Sequence, residues 1–232
     1  MMFLMRLYPR DSADPIWEFV KGEMKSSVKE VTPLFSSIQV NARFVTLYVM
    51  AEDMESVGDF IINDLSKCQD IKSSLTIPLL NMAFLPVPKE VSMQTKRYSI
   101  MVRCPLSRYR SAFRDIMNMD HGPGLHPTFS AFLLGQYDIL LSMCADSRDR
   151  LDEWVDNKLR KMDGVEEVEV FPIAESKILV SPEDWMRIQR TLLFIPDWAT
   201  DLGEDREYAF YLTDEEWGAR FVVRLPAATA DG

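Results

Sequence analysis

The chain has 232 residues, of which 47% are hydrophobic and 27% charged, with a formal net charge of −10. That length suits one large domain or two small ones, each with its own core. The acidity argues against direct nucleic-acid binding, because phosphate contacts draw on clustered Lys and Arg and the longest basic stretch is the short Lys158–Arg160–Lys161 run.

Residues 1–10 are apolar for too short a stretch to be a signal peptide or membrane anchor, and Arg6 and Pro9 interrupt them. Residues 3–8 read as a strand, 15–24 as a helix and 35–40 as a strand. From residue 43 an apolar run leads through Glu52-Asp53 into Val57, Ile61, Leu65 and Cys68, whose spacing of three and four puts them on one helix face. The stretch 86–96, polar with two prolines, reads as a linker.

The same order then recurs. Residues 98–104 read as a strand, 107–117 as a helix and 129–134 as a strand, with a tight turn at Gly135-Gln136. The next apolar run leads through Asp146-Ser147 into Leu151, Val155, Leu159 and Met162. Gly164 ends that helix, and 165–171 alternate as a half-buried strand does. Beyond Glu175, Ser181-Pro182-Glu183-Asp184 begins a helix, Thr213 to Glu216 begins another, and 221–225 form a last strand. The final PAATADG is expected to carry no structure.

At an offset of 94 residues, 43–79 align with 137–173 without a gap. Identities include Ala51/Ala145, Asn63/Asn157, Leu65/Leu159, Lys67/Lys161 and Pro78/Pro172, and apolar character is shared at further positions such as Val45/Ile139, Val57/Leu151, Phe60/Trp154 and Ile61/Val155. Each half therefore spells β-α-β-β-α-β, a ferredoxin-like unit with helices on one sheet face only. The bare sheet faces need cover, and each other is the simplest cover. The expected fold is thus α+β: two tandem ferredoxin-like units packed sheet to sheet as a pseudo-dimeric α+β barrel, with a C-terminal extension. The boundaries are 1–88, 97–174 and 175–232.

The run Gly135-Gln136-Tyr137-Asp138-Ile139-Leu140-Leu141, followed by a helix ending in Gly164-Val165, resembles the effector-binding domain of the Lrp/AsnC family of regulators. The resemblance covers residues 97–174. The first half matches by fold alone, with Asn41-Ala42-Arg43-Phe44 at the corresponding turn. It implies a small-molecule sensor, often of amino acids, assembling through sheet-to-sheet dimers. The family's usual helix-turn-helix has no counterpart here, so the resemblance is to its sensing half.

Gly135, Tyr137 and Asp138 are the candidate ligand-binding residues. Gly135 would supply a positive φ. Asp138 would either orient a ligand's amino group or satisfy turn backbone groups. Tyr137 would either line a pocket or join a cross-strand aromatic pair. His121 and His126 share a Gly/Pro loop longer than the family's, which reads as a turn-rich connection with exposed imidazoles rather than a metal site. Cys104 and Cys144 read as inert core, the scattered cysteines as those of a reducing cytoplasm, and no cofactor or catalytic motif is present. The combined reading is a cytoplasmic, homo-oligomeric sensor of a small-molecule effector, an amino acid among the candidates, without direct nucleic-acid or membrane contact. A dimeric α+β barrel enzyme, oxygenase- or decarboxylase-like, is the rival, and it needs His121 or His126 on the sheet face turned away from the helices.

Overall fold

A computed structural model describes residues 1–85, 87–88, 95–194, 207–211 and 220–224. The first unit, Met1–Leu80 with Pro172–Trp185, holds β1 (Met2–Pro9), α1 (Asp14–Glu23), β2 (Val31–Gln39), β3 (Val45–Ala51) and α2 (Met54–Asn63). It also takes most of β4 (Ile71–Phe84). The second unit, Asn81–Phe171 with residues 186–194, 207–211 and 220–224, holds the short β5 (Val87–Pro88), β6 (Lys96–Arg103), α3 (Tyr109–Asn118), β7 (Leu125–Leu133), β8 (Ile139–Ala145) and α4 (Arg148–Trp154). The last elements are β9 (Glu167–Ile178), α5 (Pro182–Thr191), β10 (Glu207–Tyr211) and β11 (Arg220–Arg224).

Strand order in the first unit is β4-β1-β3-β2, and in the second β9-β6-β8-β7. This is the ferredoxin-like order in both, so the expected α+β class holds. β4 and β9 are unusually long: β9 continues past Glu175 to Ile178 and pairs with β2 from Phe35↔Ile178 to Gln39↔Ile173. Inside the expected linker, Val87–Pro88 pair with β10, which pairs in turn with β11. Residues 86 and 89–94 of that linker, the helix start at Thr213 and the final seven residues lie outside the described residues, while Lys96 already begins β6.

Each unit is built on one apolar layer between its sheet and its two helices. In the first, Phe3, Met5 and Leu7 of β1 and Val45, Leu47 and Val49 of β3 meet Ile16 and Val20 of α1 and Val57 and Phe60 of α2. All are buried, and each such side chain removed from water contributes on the order of 1.5–3 kcal/mol. In the second, Tyr98, Ile100, Val102, Ile139 and Leu141 meet Ala112, Ile116, Leu151 and Trp154. The helices start at equivalent caps: the Asp53 carboxylate accepts the Ser56 N–H at 2.8 Å, and the Ser147 hydroxyl accepts the Arg150 N–H at 3.3 Å. Past Trp154 the second copy runs on as a π-turn, Val155–Leu159, so the helix stops five residues short of Gly164, which lies in the turn that follows rather than at the helix end expected there. At Gly164 φ is +89° and a Cβ would stand 2.8 Å from Arg108 Cβ, so glycine is required on two counts.

The repeat reaches further back than residue 43. The register of β2 against β3 shifts between Pro33 and Phe35, and that of β7 against β8 between Pro127 and Phe129, at the same offset of 94. Pro33/Pro127, Phe35/Phe129 and Ser36/Ser130 are identical pairs. In each bulged strand the serine hydroxyl donates to the facing strand, Ser36 Oγ to the Thr46 carbonyl at 2.7 Å and Ser130 Oγ to the Leu140 carbonyl at 2.8 Å. The bulge carries one residue more than its partner strand, and the hydroxyl supplies a bond that the interrupted ladder lacks. Ser36→Ala and Ser130→Ala are each expected to cost about 1 kcal/mol in urea unfolding. Equal losses from the two sites would match their equivalence, and a loss from one alone would end it.

Candidate functional site

With the core facing the helices, the alternate residues of each strand face the other way. On that face of the second unit a polar cluster surrounds Tyr137. Its ring is buried, and its hydroxyl donates to Glu169 Oε2 at 2.5 Å. The Arg103 guanidinium lies 5.5 Å from the ring centroid, pairs with Glu167 Oε2 at 2.9 Å and donates through Nε to the Gln136 carbonyl at 3.2 Å. Burial, reinforced by the hydrogen bond to Glu169, pushes the Tyr137 phenol up to about 12, so it stays a neutral donor at physiological pH. Tyr137 thus makes a hydrogen bond and a cation–π contact, and no aromatic cross-strand pair involves it among the described residues.

Asp138 is committed to backbone. Its Oδ2 accepts the Cys104 N–H at 2.9 Å where β6 ends, its own N–H donates to the Val102 carbonyl at 2.9 Å, and its carbonyl accepts the Leu133 N–H at 2.9 Å. The β7–β8 connection therefore spans 134–138, longer than the two-residue turn expected at Gly135-Gln136. Positive φ occurs at Gly122, Gly124 and Gly164 among the described glycines, so Gly135 does not need the left-handed geometry expected of it. Its counterpart hairpin in the first unit instead places Ala42 at φ 48°.

His121 corrects the expectation of exposed imidazoles. It is 6% exposed and packs on Trp154, with ring centroids 5.4 Å apart, on the helix side of the second unit. Burial pushes its imidazole down to about 4, against the opposing pull of the Ile116 carbonyl it bonds. The loop before β7, residues 119–124, is one residue shorter than its counterpart at 24–30, so relative to its own repeat it is no insertion. His126 is half-buried and pairs in register with Cys144, on the sheet face away from the helices. Burial lowers its pKa as well. Among the described residues no three His, Cys, Asp or Glu side chains converge as a metal site. Cys104 and Cys144 are buried thiols whose pKa burial raises, Cys104 to about 11, in keeping with inert core.

The equivalent face of the first unit holds a residue that sequence reasoning passed over. Arg6, read only as an interruption of an apolar run, is 5% exposed, with its guanidinium 4.7 Å from the Phe44 centroid. It stands opposite Thr46, whose hydroxyl accepts Gln39 Nε2 at 3.1 Å. An arginine at an alternate position of an otherwise apolar strand was the available signal.

No family model matches the sequence, and no curated protein matches it. Among solved structures, the siroheme decarboxylase NirDL in complex with an iron-uroporphyrin III analogue is similar over 83% of this chain and 78% of its own, at 8% identity and a TM-score of 0.53. An anthrone oxidase-like protein is similar over 78% of this chain and 94% of its own, at 11% identity and a TM-score of 0.45. Escherichia coli AsnC is similar over 56% of this chain and 77% of its own, at 15% identity and a TM-score of 0.33. Each unit thus has the ferredoxin-like α+β fold. No helix among the described residues is long and apolar enough to cross a membrane.

Two consequences are measurable. The unfolded chain holds a proton on His121 at pH values where the folded chain does not, so stability is full above about pH 6.5 and falls as pH drops toward 4. The loss amounts to about 3 kcal/mol at most, and His121→Leu should remove that part of the slope in urea unfolding followed from pH 7.5 to 4. Asp138→Ala strands the Cys104 N–H and is expected to cost about 1–3 kcal/mol with no ligand present, whereas Asp138→Asn, which retains an acceptor, should cost less.

Proposed function

We propose that the chain is a small-molecule-binding protein of the Lrp/AsnC sensor type that recognises the amino group of its effector, an amino acid, beside the Tyr137–Asp138 turn. The observation that carries this reading is the polar cluster around the buried Tyr137 ring. A phenol held neutral, two carboxylates at Glu167 and Glu169, and one guanidinium gather at the end of a sheet whose helix-facing side is wholly apolar. A ligand ammonium would accept the roles that chemistry offers: it donates to Glu169 and to the phenol oxygen, and the flat Tyr137 ring favours a cation on its face. Its carboxylate would take Arg103, whose fork suits bidentate binding. Asp138 then acts as a positioning residue, because it fixes the end of β6 from which Arg103 projects.

A second reading, an enzyme of the dimeric α+β barrel kind, draws on His126. It lies on the sheet face away from the helices and is kept neutral by burial, as a general base or a metal or haem ligand would be. His121 offers that reading nothing, since it is packed against Trp154.

A thermal-shift screen against the twenty amino acids, haem and divalent metals separates the two. The sensor reading expects stabilisation by one or a few amino acids, lost in Tyr137→Phe and Glu169→Gln and kept in His126→Ala. Stabilisation by haem or a metal alone, lost in His126→Ala, would replace it with the enzyme.

A further inference from the structure

A cavity unrelated to the Tyr137 cluster opens in the second unit with a volume of about 470 Å³, within the range of small-molecule sites. Its floor is Phe113 of α3 and Phe132 of β7, whose ring centroids lie 4.3 Å apart, while Tyr109 stacks on Phe132 at 4.4 Å. Ala83 and the segment Leu192–Phe194 form the walls. That segment is pinned by two backbone bonds, Phe84 N–H to the Leu192 carbonyl and Phe194 N–H to the Phe84 carbonyl, both 2.9 Å. The walls are therefore preorganised rather than loose, which lowers the ordering cost of binding. At the rim Asn81 holds φ 46°, a strained conformation for a non-glycine residue.

The lining contains one charged side chain, Arg110, and no carboxylate. Arg110 and Phe113 are three residues apart on α3 and so share a face. Arg110 is exposed and forms no ion pair among the described residues. Two aromatic rings and one guanidinium lining the same cavity select for a ligand with an apolar body and an anionic end.

We propose that this cavity binds a small apolar carboxylate, an aryl- or alkyl-substituted alkanoate, with its apolar part on Phe113 and Phe132 and its carboxylate on Arg110. The two sites share no residue.

Isothermal titration of the full chain with 3-phenylpropionate and with its uncharged amide tests the assignment. The acid is expected to bind, the amide about tenfold more weakly, which is the contribution of one charge-assisted hydrogen bond. Arg110→Gln should weaken the acid by about the same factor and bring the two ligands level. Thr191→Trp, which fills the cavity mouth, should abolish both, and Tyr137→Phe should change neither. Equal affinity for acid and amide, an unaltered acid affinity in Arg110→Gln, or no binding of 3-phenylpropionate at millimolar concentration would each overturn it.

Discussion

The apolar layer between each sheet and its two helices is the constraint on which everything else here rests. Phe3, Met5, Leu7, Val45, Leu47 and Val49 in one unit, and Tyr98, Ile100, Val102, Ile139 and Leu141 in the other, fix which face of every strand turns inward to the helices. A slip of one residue would turn all of them out. Once that face is set, the alternate residues have no freedom: Arg6, Thr46, Tyr137's partners Arg103 and Glu169, and His126 are all delivered to the opposite face by the register of the core. The bulges at Pro33/Phe35 and Pro127/Phe129 belong to the same constraint, since each re-aims its strand and both fall at the same place in the repeat.

The two copies keep this scaffold and differ in what they hang on it. Matching core positions, Phe3 with Tyr98 and Leu7 with Val102, puts Met101 where the first unit has Arg6. The hairpin offset of 94 puts Arg43 where the second has Tyr137. Neither polar cluster has a twin. A duplicated core requires only that volumes and apolar periodicity survive, whereas a site requires particular groups at particular atoms, so the scaffold persists under substitutions that erase a site.

Among the site residues, what was legible depended on range. Tyr137 stood out through a local motif, and Gly164 through its place after a helix. The partners that give Tyr137 its character, Glu169 and Arg103, lie 32 and 34 residues away and came together only through the pairing of β9 and β8 with β6. His121 looked exposed because its neighbours in sequence are Asp120, Gly122 and Pro123. It is buried because Trp154, on another element, covers it. The cavity above Phe113 was invisible for the same reason: its wall is a segment some 80 residues further along the chain.

The sequence by itself determined the α+β class, the repeated strand and helix order, and nearly every strand and helix of the two copies. These follow from local propensity, from periodicities of 2 and 3.6 and from composition, all of which can be read along one strand of text. Tertiary structure alone decided that β4 and β9 run on beyond their own copies, that Asp138 serves the end of β6, that Arg6 and His121 are buried, and that Arg110 lines one cavity with Phe113 and Phe132. Each of those is set by which distant backbone a strand finds as its neighbour. Hydrogen bonding between strands uses the same N–H and C=O groups whatever the side chains, so the sequence carries little local mark of the choice.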